Sequence, residues 1–189
     1  MLEFLQHIDE QLFYFINVSL ANPFTDIFMP FITVEKHWFI FWGIMWLYLL
    51  IGGGKKGRIV AILVLFLVLI SDQLSSNIFK HLFERVRPCN YLPRESIHLL
   101  VNCTGSFSFP SSHAVNNFAG AYFFSYFYPR LKIAFYISAT LLAISRVFCG
   151  VHYPFDVIGG IVIGLLTGYL FIKLYKIINK KIKIIEEPR

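Results

Sequence analysis

The chain has 189 residues, 57% of them hydrophobic, 18% aromatic and only 15% charged, with a mean hydropathy of +0.63. A soluble domain of this length carries more charge, so the composition excludes an ordinary water-soluble enzyme and points to an integral membrane protein. The formal net charge is +6, but Lys and Arg fall in short clusters between apolar runs, a pattern that orients membrane proteins rather than one that binds nucleic acid.

The first twenty residues lack a basic start and a small-residue cleavage site and contain His7, Asp9, Glu10 and Gln11, so no cleavable signal peptide is expected. Residues 8–33 are interrupted by Asn17, Ser19, Asn22-Pro23, Asp26 and Pro30. That pattern predicts two short amphipathic helices on the membrane surface, within an interfacial segment 1–36, with a bent additional span as the alternative.

Apolar spans follow at 38–51, 59–79, 113–128, 131–148 and 155–178. Several are shorter than the ~20 residues a straight span needs, so their flanks must enter the interface. All are expected to be helices, because open strands cannot satisfy their backbones in lipid. The predicted fold is all-α: a single polytopic helical bundle with five spans, or six if the N-terminal segment crosses, a core at 37–178 and a tail at 179–189. Trp38, Trp42 and Trp46, at four-residue spacing, read as a packing or interfacial stripe.

Lys55, Lys56 and Arg58 follow the first span, Arg130 and Lys132 join the third to the fourth, and Lys173, Lys176, Lys180, Lys181 and Lys183 follow the last. By the positive-inside rule these ends and the tail are cytoplasmic, and residues 88–110 and 149–154 face the periplasm or exterior of the cytoplasmic (inner) membrane. Of three cysteines, Cys89 and Cys103 share the outward loop. A disulfide between them is expected there, with Cys149 as an alternative partner. No His/Cys cluster has metal-site spacing, so no structural metal is expected, and no cofactor is expected.

Three polar stretches converge on that outward face. In "KHLFERVRP", Lys80 and Arg87 are seven residues apart, which on a helix at ~100° per residue returns them to one face. Glu84, one turn from Lys80, is placed for an ordinary ion pair. In "FPSSHAVNN", Ser111 is a plausible N-cap, and the N–H groups of the helix it opens suit an anion. In "SRVFCGVHYPFD", Gly150 can close one helix and Pro154 open the next. Asp156 then falls in a first helical turn, where it can fix the tautomer of His152.

Singly, these stretches also read as snorkelling cations, plain capping and a structural Asp–His pair. Together they supply what phosphate chemistry needs. Lys80, Arg87 and Arg146 can neutralise oxygens, Ser111 and Ser112 can donate to them, and one histidine can attack phosphorus while the other protonates the leaving oxygen.

The three motifs K-x6-R-P, P-S-x-H and S-R-x5-H-x3-D, in this order from Lys80 to Asp156, resemble the signature of the type 2 phosphatidic acid phosphatase family, which also includes vanadium haloperoxidases. The resemblance implies that His152 is the nucleophile, Asp156 its orienter and His113 the general acid. It assigns Lys80, Arg87, Ser111 and Arg146 to the phosphate, and implies a metal-independent phosphatase. Ser112 stands where many members have glycine.

The expected activity is hydrolysis of a membrane lipid phosphate or diphosphate, such as undecaprenyl diphosphate, phosphatidylglycerol phosphate or the 1-phosphate of lipid A. The bilayer and the lipid substrate are the expected partners. A lipid-to-lipid phosphotransferase is the nearest alternative; a haloperoxidase or a non-catalytic lipid-binding protein fits less well.

Overall fold

The computed structural model describes residues 2–182, and every regular element among them is helical. Helix α1 (Leu2–Tyr14) runs through a π-turn at Phe15–Ser19. Helix α2 (Pro23–Thr33) is opened by Asn22, whose side chain accepts the N–H groups of Phe24 and Thr25 while its own N–H donates to the Thr25 hydroxyl. That reciprocal capping box marks the break read from Asn22-Pro23.

Helix α3 is Phe39–Ile51, and α4 (Gly54–Gln73) continues through a second π-turn, Leu74–Phe79, into α5 (Lys80–Phe83). A single turn, α6 (Pro88–Tyr91), interrupts the loop that leads to α7 (Ser112–Phe127). Helices α8 (Lys132–Phe148) and α9 (Pro154–Ile182) complete the order.

Among the described residues, Gly54–Tyr91, Pro129–Phe148 and Pro154–Lys181 are long and apolar enough to cross a membrane, and α3 is apolar but shorter. Their outward faces carry exposed Leu65, Phe66, Leu69, Ile133, Val162 and Leu166. Such a girdle would aggregate in water and is solvated by acyl chains. The chain is an integral membrane protein.

Helix α7, with 16 residues, is the innermost element, packed by α4, α8 and α9. Its Ala114, Val115, Ala119, Phe123 and Phe127 are fully buried. Helix α9 turns Gly160, Gly164 and Gly168 toward α7, and a Cβ at Gly160 would stand 2.8 Å from the Ala114 Cβ. Small residues there let two backbones approach closely, which positions the N-terminus of α7 beside that of α9.

Two expectations are corrected. Lys80 and Arg87 do not share a helix face, because α5 ends at Phe83 and Glu84 adopts a left-handed φ of 47°. Arg87, preceding Pro88, is extended at φ −71°, ψ 151°, as the proline ring requires of its neighbour. The two cations therefore come from a helix and from a loop. Glu84 closes the helix with its N–H on the Lys80 carbonyl at 2.9 Å, and its side chain is exposed and forms no ion pair with Lys80.

The N-terminal segment does form two short helices, and its Asp9 and Asn17 are fully buried. The Asn17 amide donates to the carbonyls of His98 and Phe148 at 2.8 Å each and accepts the His98 N–H at 2.8 Å. It ties the segment to the loop and to the end of α8. Of the predicted tail at 179–189, residues 183–189, including Lys183, lie outside the described residues.

Candidate active site

Helix α8 ends at Phe148, and Gly150 turns the chain at φ +78°, where a Cβ would meet the His98 carbonyl at 2.6 Å. This turn delivers His152, 2% exposed, just ahead of Pro154 at the start of α9. Its Nδ1 lies 3.5 Å from Asp156 Oδ2, and its Nε2 lies 3.1 Å from Arg87 Nη1. The carboxylate can only accept, so the proton belongs on Nδ1 and the lone pair on Nε2. Burial holds the His152 imidazolium pKa down at about 3, against the raising effect of Asp156. The ring is neutral at physiological pH, as a nitrogen nucleophile must be.

Asp156 is fully buried and fully engaged. Its Oδ2 accepts the Tyr153 N–H at 2.8 Å and the Ser108 hydroxyl, and its Oδ1 accepts Arg85 Nη1 at 2.8 Å. The other arm of Arg85 binds Asp9 Oδ2 at 2.7 Å, and Asp9 Oδ1 accepts the Phe155 N–H at 2.8 Å. The Arg85 guanidinium also lies 4.3 Å from the centroid of the Tyr153 ring. A carboxylate from α1, an arginine from the loop and a carboxylate from α9 thus form one chain of charges behind His152, with both carboxylates buried.

Arg87 is clamped by the Ser106 carbonyl at 2.8 Å, the Ser106 hydroxyl at 3.0 Å and the Val151 carbonyl at 3.0 Å. The loop that leads to Ser106 is closed by the Cys89–Cys103 disulfide, and Cys149 is free and buried. Lys80, 8% exposed, lies within electrostatic reach of Arg87, Asp72, Arg146 and Asp156. Lys80 and Arg87 are buried and Arg146 is partly so, and the three cations repel one another, which an anion among them would relieve.

Arg146 donates Nη1 to the Thr33 hydroxyl at 3.1 Å, while its buried Nε has no hydrogen-bond partner among the described residues. The buried Ser111 hydroxyl has none either. Ser111 occupies the N-cap position of α7 but makes no side-chain cap, and its N–H donates to the Asp156 carbonyl at 3.0 Å. Ser112 meets Ser76, hydroxyl to hydroxyl, at 3.4 Å. A buried donor without an acceptor is costly, and two of them beside a cation cluster mark a place where an oxyanion fits.

His113 comes from the first turn of α7, and its Nε2 lies 3.2 Å from the Thr33 carbonyl and 3.5 Å from Glu35 Oε1. Both neighbours accept, so Nε2 carries the proton. Thr33 thus occupies both Arg146 and His113 from the end of α2. Among the described residues, no three His, Cys, Asp or Glu side chains gather to hold a metal ion.

The structure brings every motif residue to one end of the bundle and adds Asp9, Thr33, Arg85 and Ser108, which sequence reasoning did not single out. Asp9 and Arg85 carried a faint signal as charged residues bordering apolar runs, although Glu10 and Glu84 flank them in sequence. Ser108 and Thr33 carried none.

Residues 61–180 match the family model of the PAP2 superfamily, and the chain belongs to that superfamily. It is 32% identical over 179 residues to a lipid A 4′-phosphatase of Bacteroides thetaiotaomicron, covering 90% of this chain and 78% of that one. It is 30% identical over 182 residues to a lipid A 4′-phosphatase of Porphyromonas gingivalis, covering 92% and 75%. Among solved structures, it resembles a transmembrane PAP2-type phosphatidylglycerolphosphate phosphatase from Bacillus subtilis, with a TM-score of 0.67 and 28% identity over 92% of this chain and 87% of that one.

Proposed function

We propose that the protein is a metal-independent phosphatase of a membrane lipid phosphate, working through a phosphohistidine. The observation that carries this reading is the pair of unpartnered buried donors, Ser111 Oγ and Arg146 Nε, in the cation cluster next to the lone pair of His152. In this reading a phosphate oxygen takes over the contact that Arg87 makes with Nε2. Lys80, Arg87, Arg146, Ser111 and Ser112 then neutralise the charge that builds up at phosphorus.

His152 Nε2 attacks, a P–N bond forms, the P–O bond to the lipid breaks, and His113, as an imidazolium, donates its Nε2 proton to the departing oxygen and becomes neutral. Water then attacks the phosphohistidine, losing its proton to His113, and inorganic phosphate leaves. Asp156 holds the imidazole and stabilises its charge throughout. A lipid-to-lipid phosphotransferase would differ only in the acceptor that replaces water.

The basic clusters support a site facing the periplasm or exterior of the cytoplasmic membrane, with the C-terminus in the cytoplasm. Undecaprenyl diphosphate, phosphatidylglycerol phosphate and a phosphate of lipid A are the candidate substrates. Two relatives aligned well beyond residues 61–180 are lipid A 4′-phosphatases, which favours phosphorylated lipid A, at its 4′ rather than its 1 position.

The test is phosphate release by purified protein in detergent with excess EDTA, with and without vanadate. Release that survives EDTA and is blocked by vanadate, a mimic of pentavalent phosphorus, supports the reading. A strict divalent-cation requirement refutes it.

A further inference from the structure

Helix α4 breaks its own pattern as it nears Lys80. Its exposed side is apolar at Leu65, Phe66, Leu69 and Ile70, and again beyond at Ile78 and Leu82, yet Gln73 and Asn77 between them are exposed amides. Beside them lie partly exposed Asp72 and Ser76, and the facing turn of α7 presents Asn116. This polar patch coincides with the π-turn Leu74–Phe79, an irregularity often found at functional sites. Polar and ionisable groups in a membrane helix are costly unless they serve a partner.

Internal partners satisfy the patch only in part. The Ser71 hydroxyl donates to the Asn116 side-chain oxygen at 2.7 Å, a half-buried bond that joins α4 to α7. Asp72 lies within electrostatic reach of Lys80, but its Oδ1 is approached by Ser76 and Asn116 at 3.4 Å each, long for hydrogen bonds. Gln73 and Asn77 bond to each other on the exposed side. Asp72, Ser76 and Lys80 follow one another at successive turns, so the patch descends from the cation cluster into the apolar layer.

We infer that Asp72, Gln73, Ser76, Asn77 and Asn116 form a hydrogen-bonding subsite for the part of the substrate adjoining its phosphate, and that this part is an N-acylated amino sugar. The inference rests on the phosphatase reading and selects among its substrates. An ionised carboxylate can only accept, so Asp72 calls for N–H or O–H donors at that depth. An acylated amino sugar supplies amide N–H and ring hydroxyls, together with carbonyls for the amide N–H groups of Gln73, Asn77 and Asn116. Undecaprenyl diphosphate offers a second phosphate and then hydrocarbon. Phosphatidylglycerol phosphate supplies one glycerol hydroxyl next to its phosphate, then a phosphodiester and ester carbonyls near the same carboxylate. A second negative charge beside Asp72 is repelled, and hydrocarbon leaves the subsite unpaired.

The test compares kcat/KM of the purified full chain in detergent on lipid A, undecaprenyl diphosphate and phosphatidylglycerol phosphate. The variants are Asp72→Asn and the double variant Gln73→Leu/Asn77→Leu, whose exposed positions tolerate leucine in a lipid-facing helix. Wild type should prefer lipid A, and each variant should reduce that preference about tenfold, the scale expected when a polar subsite loses a partner. A wild type that prefers either other lipid, or variants that lower all three activities equally, would overturn the subsite while leaving the phosphatase reading intact. No phosphate release from any of the three would overturn both.

Discussion

Arg85 Nη1 sits 2.8 Å from Asp156 Oδ1, and its other arm holds Asp9 at 2.7 Å, so the carboxylate behind His152 is anchored to the first helix of the chain. Both carboxylates are fully buried, and the arginine is one-quarter exposed. Removing one member of such a pair leaves an uncompensated buried charge, a loss on the order of 3 kcal/mol. Arg85→Ala should therefore unfold more easily by about that amount.

As a positioning residue, Arg85 should also act on turnover more than on binding. Arg85→Lys, which keeps the charge but not the fork, should recover much of the stability yet retain a kcat reduced about tenfold or more, with KM little changed. A Lys variant with normal kcat would reduce Arg85 to a purely structural part.

His113 should matter in proportion to how poorly the substrate's oxygen leaves. His113→Ala is expected to slow phosphate release from an alkyl or sugar phosphate by about 10²-fold or more, and from a nitrophenyl phosphate by much less, because an activated phenolate departs without a proton. Parallel rate measurements on both esters check this. Equal losses would remove His113 from the role of acid.

The neutral, buried His152 also predicts how stability depends on pH. Its pKa is about 3 folded, against an ordinary 6.5, so between these values the unfolded chain binds the extra proton. That contribution to stability is complete above about 6.5 and is lost as the pH falls toward 3. Thermal unfolding in detergent should show the midpoint dropping over this window, with a shallower slope in His152→Asn. An identical slope in the variant would trace the acid lability to other groups.

Closure of the 89–103 loop should support the Arg87 clamp, because Ser106 follows it directly. A loop of this length is worth ~3 kcal/mol in the chain-entropy model. Cys89→Ser/Cys103→Ser should lower the unfolding midpoint accordingly, and alkylation of unreduced wild type should label neither cysteine. Full labelling of both would contradict the bond.

Much of the architecture is legible because lipid leaves few choices: apolar runs must be helices, and Asn22-Pro23, Gly150 and Pro154 mark their ends. His152, Asp156 and Arg146 are readable because Pro154 fixes the register of a short local motif. Lys80 and Arg87 are harder. Their spacing suits a continuous helix, but Pro88 imposes an extended Arg87 and Glu84 reverses the chain, which helical periodicity alone does not reveal. Asp9 and Arg85 meet across 76 residues, and Thr33 reaches Arg146 across 113. Such pairings follow from tertiary packing of α1 and α2, and no local pattern encodes them.

The most direct test of the account is to trap the covalent intermediate. Purified protein mixed with lipid substrate, quenched within one turnover at alkaline pH and digested, should yield a peptide carrying one phosphoryl group on His152. His152→Ala should yield none and release no phosphate while remaining folded, and Asp156→Asn should accumulate less at a slower rate. Normal turnover by folded His152→Ala, or a phosphoryl group trapped on any other residue, would contradict it.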